Sequence, residues 1–168
     1  MYRSTKTYGH ELGLSACFRQ HKADSHCRYL HGYALAFTFT FESPELDVRN
    51  WVVDFGGLRD LRTQLQEQFD HTLLVAMDDP HGRTLEQLQQ HGLVDLRIVD
   101  AVGCEAFAVM GAAMAHRVLV AHNVANRVRV YSCEVREHGA NSAIFLPPVG
   151  FYDAPVTARK FLGSGNHE

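Results

Sequence analysis

The stretch YALAFTFTFE, residues 33–42, alternates without a break. Leu35, Phe37, Phe39 and Phe41 fall on one face of an extended chain, and Ala34, Ala36, Thr38 and Thr40 on the other, because successive strand side chains point to opposite sides. Three phenylalanines on one face need an apolar cover, so this strand predicts helices packed over its Phe side. The Ala and Thr side carries small residues that suit close packing against the sheet of another subunit.

Before this strand, residues 4–19 alternate unevenly through Leu12, Leu14 and Ala16 and read as a first strand. The polar residues 20–30, QHKADSHCRYL, read as a loop. After it, SPELDVRN is a connector and WVVDF a short apolar segment ending near Asp54. Leu58, Leu61, Leu65 and Phe69 then recur at helical spacing, and Asp54 is placed to cap that helix by accepting free N–H groups of its first turn. The helix ends near FDHT, and AMDDPHGR is a loop broken by Pro80 and Gly82. TLEQLQQHG reads as a short helix and VDLRIVD as a strand. Residues 104–122 place Phe107, Met110, Met114, Val118 and Ala121 on one side of a second long helix. RVRVYSCEV alternates as a strand, and NSAIFLPP is another, stopped by Pro147 and Pro148. These elements predict an α+β domain over residues 1–148: a four-stranded antiparallel sheet with two long helices on one face. Residues 149–168, with Phe151, Tyr152, Arg159 and Lys160, have no clear period and read as a C-terminal extension.

The 168 residues suit one domain, and 46% hydrophobic with 21% charged residues is ordinary for a globular chain. A net charge of −3 excludes the global basic field of a general nucleic-acid binder. No unbroken apolar run reaches the length of a membrane span, and MYRSTKTYGHELG has no apolar leader core, so the expected location is cytoplasmic. Cys17, Cys27, Cys104 and Cys133 are widely spaced with no CxxC pair, so free thiols are expected.

Reactive side chains concentrate in HCRYLHGY, residues 26–33. Cys27 has His26, Arg28 and Lys22 close in sequence, cations able to stabilise a thiolate, and the structural alternative is a buried cysteine. Asp70 and His71 follow the first helix; adjacent residues rarely face each other on a helix, but at its end both can reach one cleft, or simply terminate it. Glu134 sits in an apolar strand, where a carboxylate needs a partner or an exposed edge. Glu105 lies in the first turn of the second long helix, where capping competes with ligand contact. Arg19, Lys22 and Arg28 make a locally basic loop that would suit an anionic substrate or merely face solvent.

Taken together and in order, LSACFR, CRYLHGY, VVDFGGL, FDHTLL, VGCEAFA and VYSCEV resemble the motifs of the 6-pyruvoyl-tetrahydropterin synthase and 6-carboxytetrahydropterin synthase family, over roughly residues 8–146. The resemblance implies the tunnelling fold, in which sheets of several subunits close into a barrel, often a hexamer. It implies a small-molecule pterin substrate, with Cys27 as base, Asp70 and His71 as a proton relay across a subunit boundary, Glu134 as the anchor of the pterin ring, and Glu105 as a further contact. It also implies Zn2+ held by three histidines. Of these only His31 is present; Tyr33 and Phe18 stand at the other two positions, and Cys17, one residue away, is the candidate substitute ligand, with His21 and His26 as further candidates. The family's threonine before the second helix is replaced by Gly103 or Cys104. Three functions are therefore expected in order. The first is a 6-carboxytetrahydropterin synthase type lyase acting on 7,8-dihydroneopterin triphosphate, in a route to deazapurines such as queuosine precursors. The second is a metal-independent lyase of a pterin side chain, and the third a non-catalytic pterin- or purine-binding module.

Overall fold

The long strand found in the sequence organises the molecule. In the computed structural model, which describes residues 1–153, it is β3, His31–Ser43, thirteen residues long. Two separate strands share one of its edges. β2, Leu14–Phe18, pairs antiparallel with its first part, and β1, Tyr2–Tyr8, pairs antiparallel with its second. The single N-terminal strand expected over residues 4–19 is thus broken in two, because a 3-10 turn at His10–Leu12 ends on Gly13 with φ +73°, which an L side chain rarely adopts. β6, Arg129–Arg136, covers the other edge of β3, and β7, Ser142–Phe145, pairs with β6.

The Phe face behaves as predicted. Phe37, Phe39 and Phe41 are fully buried, each contributing about 1.5–3 kcal/mol by leaving water. Over them lie α1, Arg59–Phe69, and α3, Cys104–Ala121. Leu58, Leu61, Leu65 and Phe69 bury the inner side of the first helical segment. Asp54 Oδ1 accepts the Gly56 N–H at 2.8 Å in the turn before α1, but Leu58 stands at the helix N-terminus and no side chain caps it, so the expected cap does not form. In α3, Phe107, Met110, Met114 and Val118 are buried and Ala121 is exposed. The helix is long and apolar enough to cross a membrane, but most of it is buried within the core, which accounts for its composition.

Two expectations need correction. Among the described residues the sheet has seven strands and is mixed. β4, Thr72–Ala76, runs parallel to β2, and β5, Asp95–Val99, runs parallel to β4. TLLVA was hidden in the sequence because all five residues of β4 are buried, leaving no alternation to read. Of the three α-helices among the described residues, the two long ones lie over the Phe face as expected and the short one lies on the other face. Leu74 enters the main core, whereas Leu73 and Val75 point the other way onto Leu85 of α2, Gly82–Gln90.

The Ala and Thr side of β3 is polar: Thr7 and Thr38 hydroxyls lie 3.1 Å apart, and the buried Glu42 carboxylate accepts from Arg3 on β1 and Arg129 on β6. β1 and β7 each keep one edge without a strand partner among the described residues. The chain then folds back over α3, where Tyr152 stacks on His116 at 4.1 Å. Arg159 and Lys160 of the expected extension lie outside the described residues.

Candidate active site

Register decides which reactive side chains meet. At the end of the β2–β3 pair, Phe18 stands opposite His31, Cys17 opposite Gly32 and Ala16 opposite Tyr33. Facing partners in an antiparallel pair share a side, so Phe18, His31 and Tyr33 lie together on the main-core face. Their ring centroids are 5.0 Å apart for Phe18 and His31, 5.6 Å for His31 and Tyr33, and 6.2 Å for Phe18 and Tyr33. His31 Nδ1–H donates to the Tyr29 carbonyl at 2.7 Å, which leaves Nε2 as its one acceptor when the ring is neutral. Gly32 is needed for the close approach of the two strands: a Cβ there would lie 2.9 Å from the Ala16 carbonyl oxygen.

Cys27 sits on a 3-10 turn, His26–Arg28. Ser25 caps this turn by accepting the Cys27 N–H at 3.3 Å, and the Cys27 carbonyl accepts the Gln20 N–H at 2.9 Å, closing the loop. Tyr33 lies close to this thiol. Burial first, and then the negative charges of Glu137, Cys27 and Cys104, raise the Tyr33 phenol above its ordinary value. Cys104 opens α3 beside Glu137, and burial together with the Glu137 and Glu105 carboxylates pushes its thiol up to about 12. A thiol held so firmly protonated is a donor and not a nucleophile at neutral pH. His138 closes the cluster with its ring 5.9 Å from Tyr33.

Glu134 was singled out in the sequence and Glu137 was not. Glu134 pairs in register with Thr38 and accepts from Arg136 at 2.6 Å, so it lies on the polar side of the sheet, away from Tyr33. Glu137 follows the last residue of β6 and is the carboxylate that reaches the cluster. Glu105 is exposed in the first turn of α3.

Asp70 and His71 do form a hydrogen-bonded pair, contrary to the expectation for adjacent residues. Asp70 leaves the helix in an extended conformation and His71 takes φ +56°, so the His71 Nδ1–H donates to Asp70 Oδ1 at 2.6 Å. A left-handed non-glycine residue costs on the order of 1 kcal/mol, strain of the kind that concentrates at functional positions. The His71 side chain is 85% exposed. It shares a cavity of about 250 Å3 with Cys17, Leu73 and Leu88, on the α2 side of the sheet. The local cations are already engaged: Arg19 with Asp79 at 2.9 Å, Lys22 with Asp78 at 2.5 Å, and Arg28 with the Tyr29 hydroxyl at 2.9 Å. In the basic loop read from the sequence, Arg19 and Lys22 are thus paired with carboxylates, whereas Arg28 keeps its charge against a neutral phenol.

The family model described as 6-pyruvoyl tetrahydropterin synthase matches residues 9–147. The chain belongs to this family. Two relatives of the synthase family are named 6-carboxy-5,6,7,8-tetrahydropterin synthase. The one from Rickettsia bellii is 31% identical over 88 residues, covering 51% of this chain and 61% of that protein. The one from Rickettsia conorii is 29% identical over the same length and coverage. The match thus spans about three fifths of these relatives' length. Among solved structures, an uncharacterized protein from Wolinella succinogenes superposes with a TM-score of 0.73 at 19% identity, over 88% of this chain and 98% of that one. The 6-pyruvoyl tetrahydropterin synthase of Plasmodium vivax gives 0.60 at 11% identity, over 86% and 98%. At these identities the superpositions bear on the fold.

The zinc implied by the family resemblance does not fit the donors of this synthase-family chain. Zinc needs three or more nitrogen, sulfur or oxygen ligands from one side. The three positions offer a phenyl ring, one imidazole and a phenol. Cys17, the candidate substitute beside His31, pairs with Gly32 and points to the opposite side of the sheet. No group of three His, Cys, Asp or Glu residues able to hold a metal occurs among the described residues.

Proposed function

We propose that this protein is a pterin side-chain lyase of the 6-carboxytetrahydropterin synthase type, acting on 7,8-dihydroneopterin triphosphate in a route to deazapurines. The observation that carries the reading is the register that sets Tyr33 beside Phe18 and His31 on one face, with Cys27 on the turn that leads into β3 and Glu137 just past the end of β6. A pterin presents an amino group and a ring N–H side by side, and one carboxylate can accept both. Glu137 takes that role here in place of Glu134. Cys27 then removes a proton from the substrate side chain, and the Asp70–His71 pair of another copy relays it, since imidazole exchanges protons near neutral pH.

A second reading is a metal-independent retro-aldol cleavage of the side chain of an unphosphorylated dihydropterin. The aromatic content of the Phe18, His31 and Tyr33 positions and the engaged charges of Arg19 and Lys22 favour it. Both are tested by giving the purified protein 7,8-dihydroneopterin and its triphosphate, and separating products by fluorescence chromatography. Consumption of the triphosphate supports the first reading and of the free dihydropterin the second. A folded, oligomeric protein that consumes neither refutes both, and leaves the non-catalytic binding module.

A further inference from the structure

The three ring positions form a packed cluster. Phe18 is fully buried, touches Phe107 edge-on at 5.1 Å, and holds one side of both His31 and Tyr33. His138 holds Tyr33 from another side at 5.9 Å. The ring of Tyr33 is thereby fixed among three others, while its hydroxyl bonds to no described residue. A phenol with one donor proton, immobilised by packing beside Cys27 and Glu137, is prepared to donate to an oxygen placed between them.

We propose that this chain takes no zinc at the Phe18, His31 and Tyr33 positions, and that the Tyr33 O–H donates the hydrogen bond that holds the side-chain oxygen of its substrate. The second half rests on the pterin reading above; the first half does not. The replacement is chemically coherent. A divalent ion withdraws electron density from an oxygen strongly, whereas a phenol supplies one fixed dipole, enough to orient an oxygen and to stabilise negative charge developing on it. It also accounts for Phe18, which is useless as a ligand and serves as the wall against which both other rings pack.

The test reads metal and ligand separately. Wild-type protein and the variant Phe18→His/Tyr33→His are loaded with zinc, dialysed, and measured by elemental analysis, with folding checked by thermal melting. The wild type is expected to retain below ~0.1 zinc per chain, and the variant, with its three imidazoles on one face, about one. Stoichiometric zinc in the wild type that is lost in His31→Ala overturns the first half, as does a folded variant that retains none. For the second half, 7,8-dihydroneopterin is titrated against wild type and Tyr33→Phe. Loss of one hydrogen bond predicts roughly 3- to 10-fold weaker binding. Equal affinity overturns the role of Tyr33. The titration is repeated with 7,8-dihydroneopterin triphosphate; wild type that binds neither compound overturns the pterin reading and Tyr33's part with it, and leaves the zinc result standing on its own.

Discussion

At the residue scale, the difference between Glu134 and Glu137 shows what register adds to a sequence. In the sequence, Glu134 stands out because it interrupts an apolar alternation. Which face it occupies depends on its partner, and Thr38 puts it on the polar side with Arg136. A bulge at Tyr131, between the Thr40 and Phe41 pairings, further uncouples residue count from facing. Glu137 carries no such signal, being one of several polar residues after a strand. Cys27, Asp70 and His71 were singled out because their spacing matches a family pattern, and that spacing holds no sign of the left-handed turn that joins Asp70 to His71. Glu137→Gln keeps the shape and removes the charge of the acceptor, so dihydropterin binding is expected to weaken about 10- to 100-fold, the worth of a charge-assisted hydrogen bond. Glu134→Gln is expected to leave affinity unchanged. Fluorescence titration of both variants checks the assignment, and the reverse result would return the anchor to Glu134.

At the element scale, strands with one wet face announce themselves and strands buried on both do not. β3 was legible residue by residue, and its four inward side chains Leu35, Phe37, Phe39 and Phe41 are all fully buried. β4 was lost because its inward and outward residues are equally apolar, and with it went the parallel half of the sheet and the second helical layer. The fit of α3 onto β3 and β6 is likewise invisible in composition. It depends on Gly111, where a Cβ would lie 2.9 Å from Cys133 Sγ and 3.2 Å from the Phe37 ring. Gly111→Ala recovers up to about 1 kcal/mol of helix propensity. Overpacking against a buried sulfur and a fixed ring costs roughly 1–3 kcal/mol, so the net change is destabilising by about 1 kcal/mol. Thermal melting is expected to show a loss of roughly 2–4 °C for a chain of this size. A stabilised variant would mean that α3 has room to lift from the sheet.

At the scale of the whole molecule, the proposed site is incomplete in one chain. Tyr33, with Cys27 close by, belongs to the main-core side of the β2–β3 pair. His71 opens with Cys17 into the cavity on the α2 side. A strand pair with its side chains stands between them, so a proton relay from Cys27 to His71 calls for a dyad from a second copy. Two features make such an association physically reasonable. β1 and β7 leave open edges among the described residues, and a free strand edge is a template for pairing with another chain. Among the described residues no helix packs on the polar Thr face, which leaves it open to another subunit. The consequence is measurable by mixing two inactive proteins. Cys27→Ala and His71→Ala variants, each lacking activity alone, are unfolded together and refolded as mixed oligomers. Random assortment places an intact Cys27 against an intact His71 at about a quarter of the sites, so about a quarter of wild-type activity is expected to return. Light scattering must show that both parents still assemble. If they do and the mixture stays inactive, the thiol and the dyad do not act across a subunit boundary, and Cys17, which shares the cavity of His71, becomes the thiol to test.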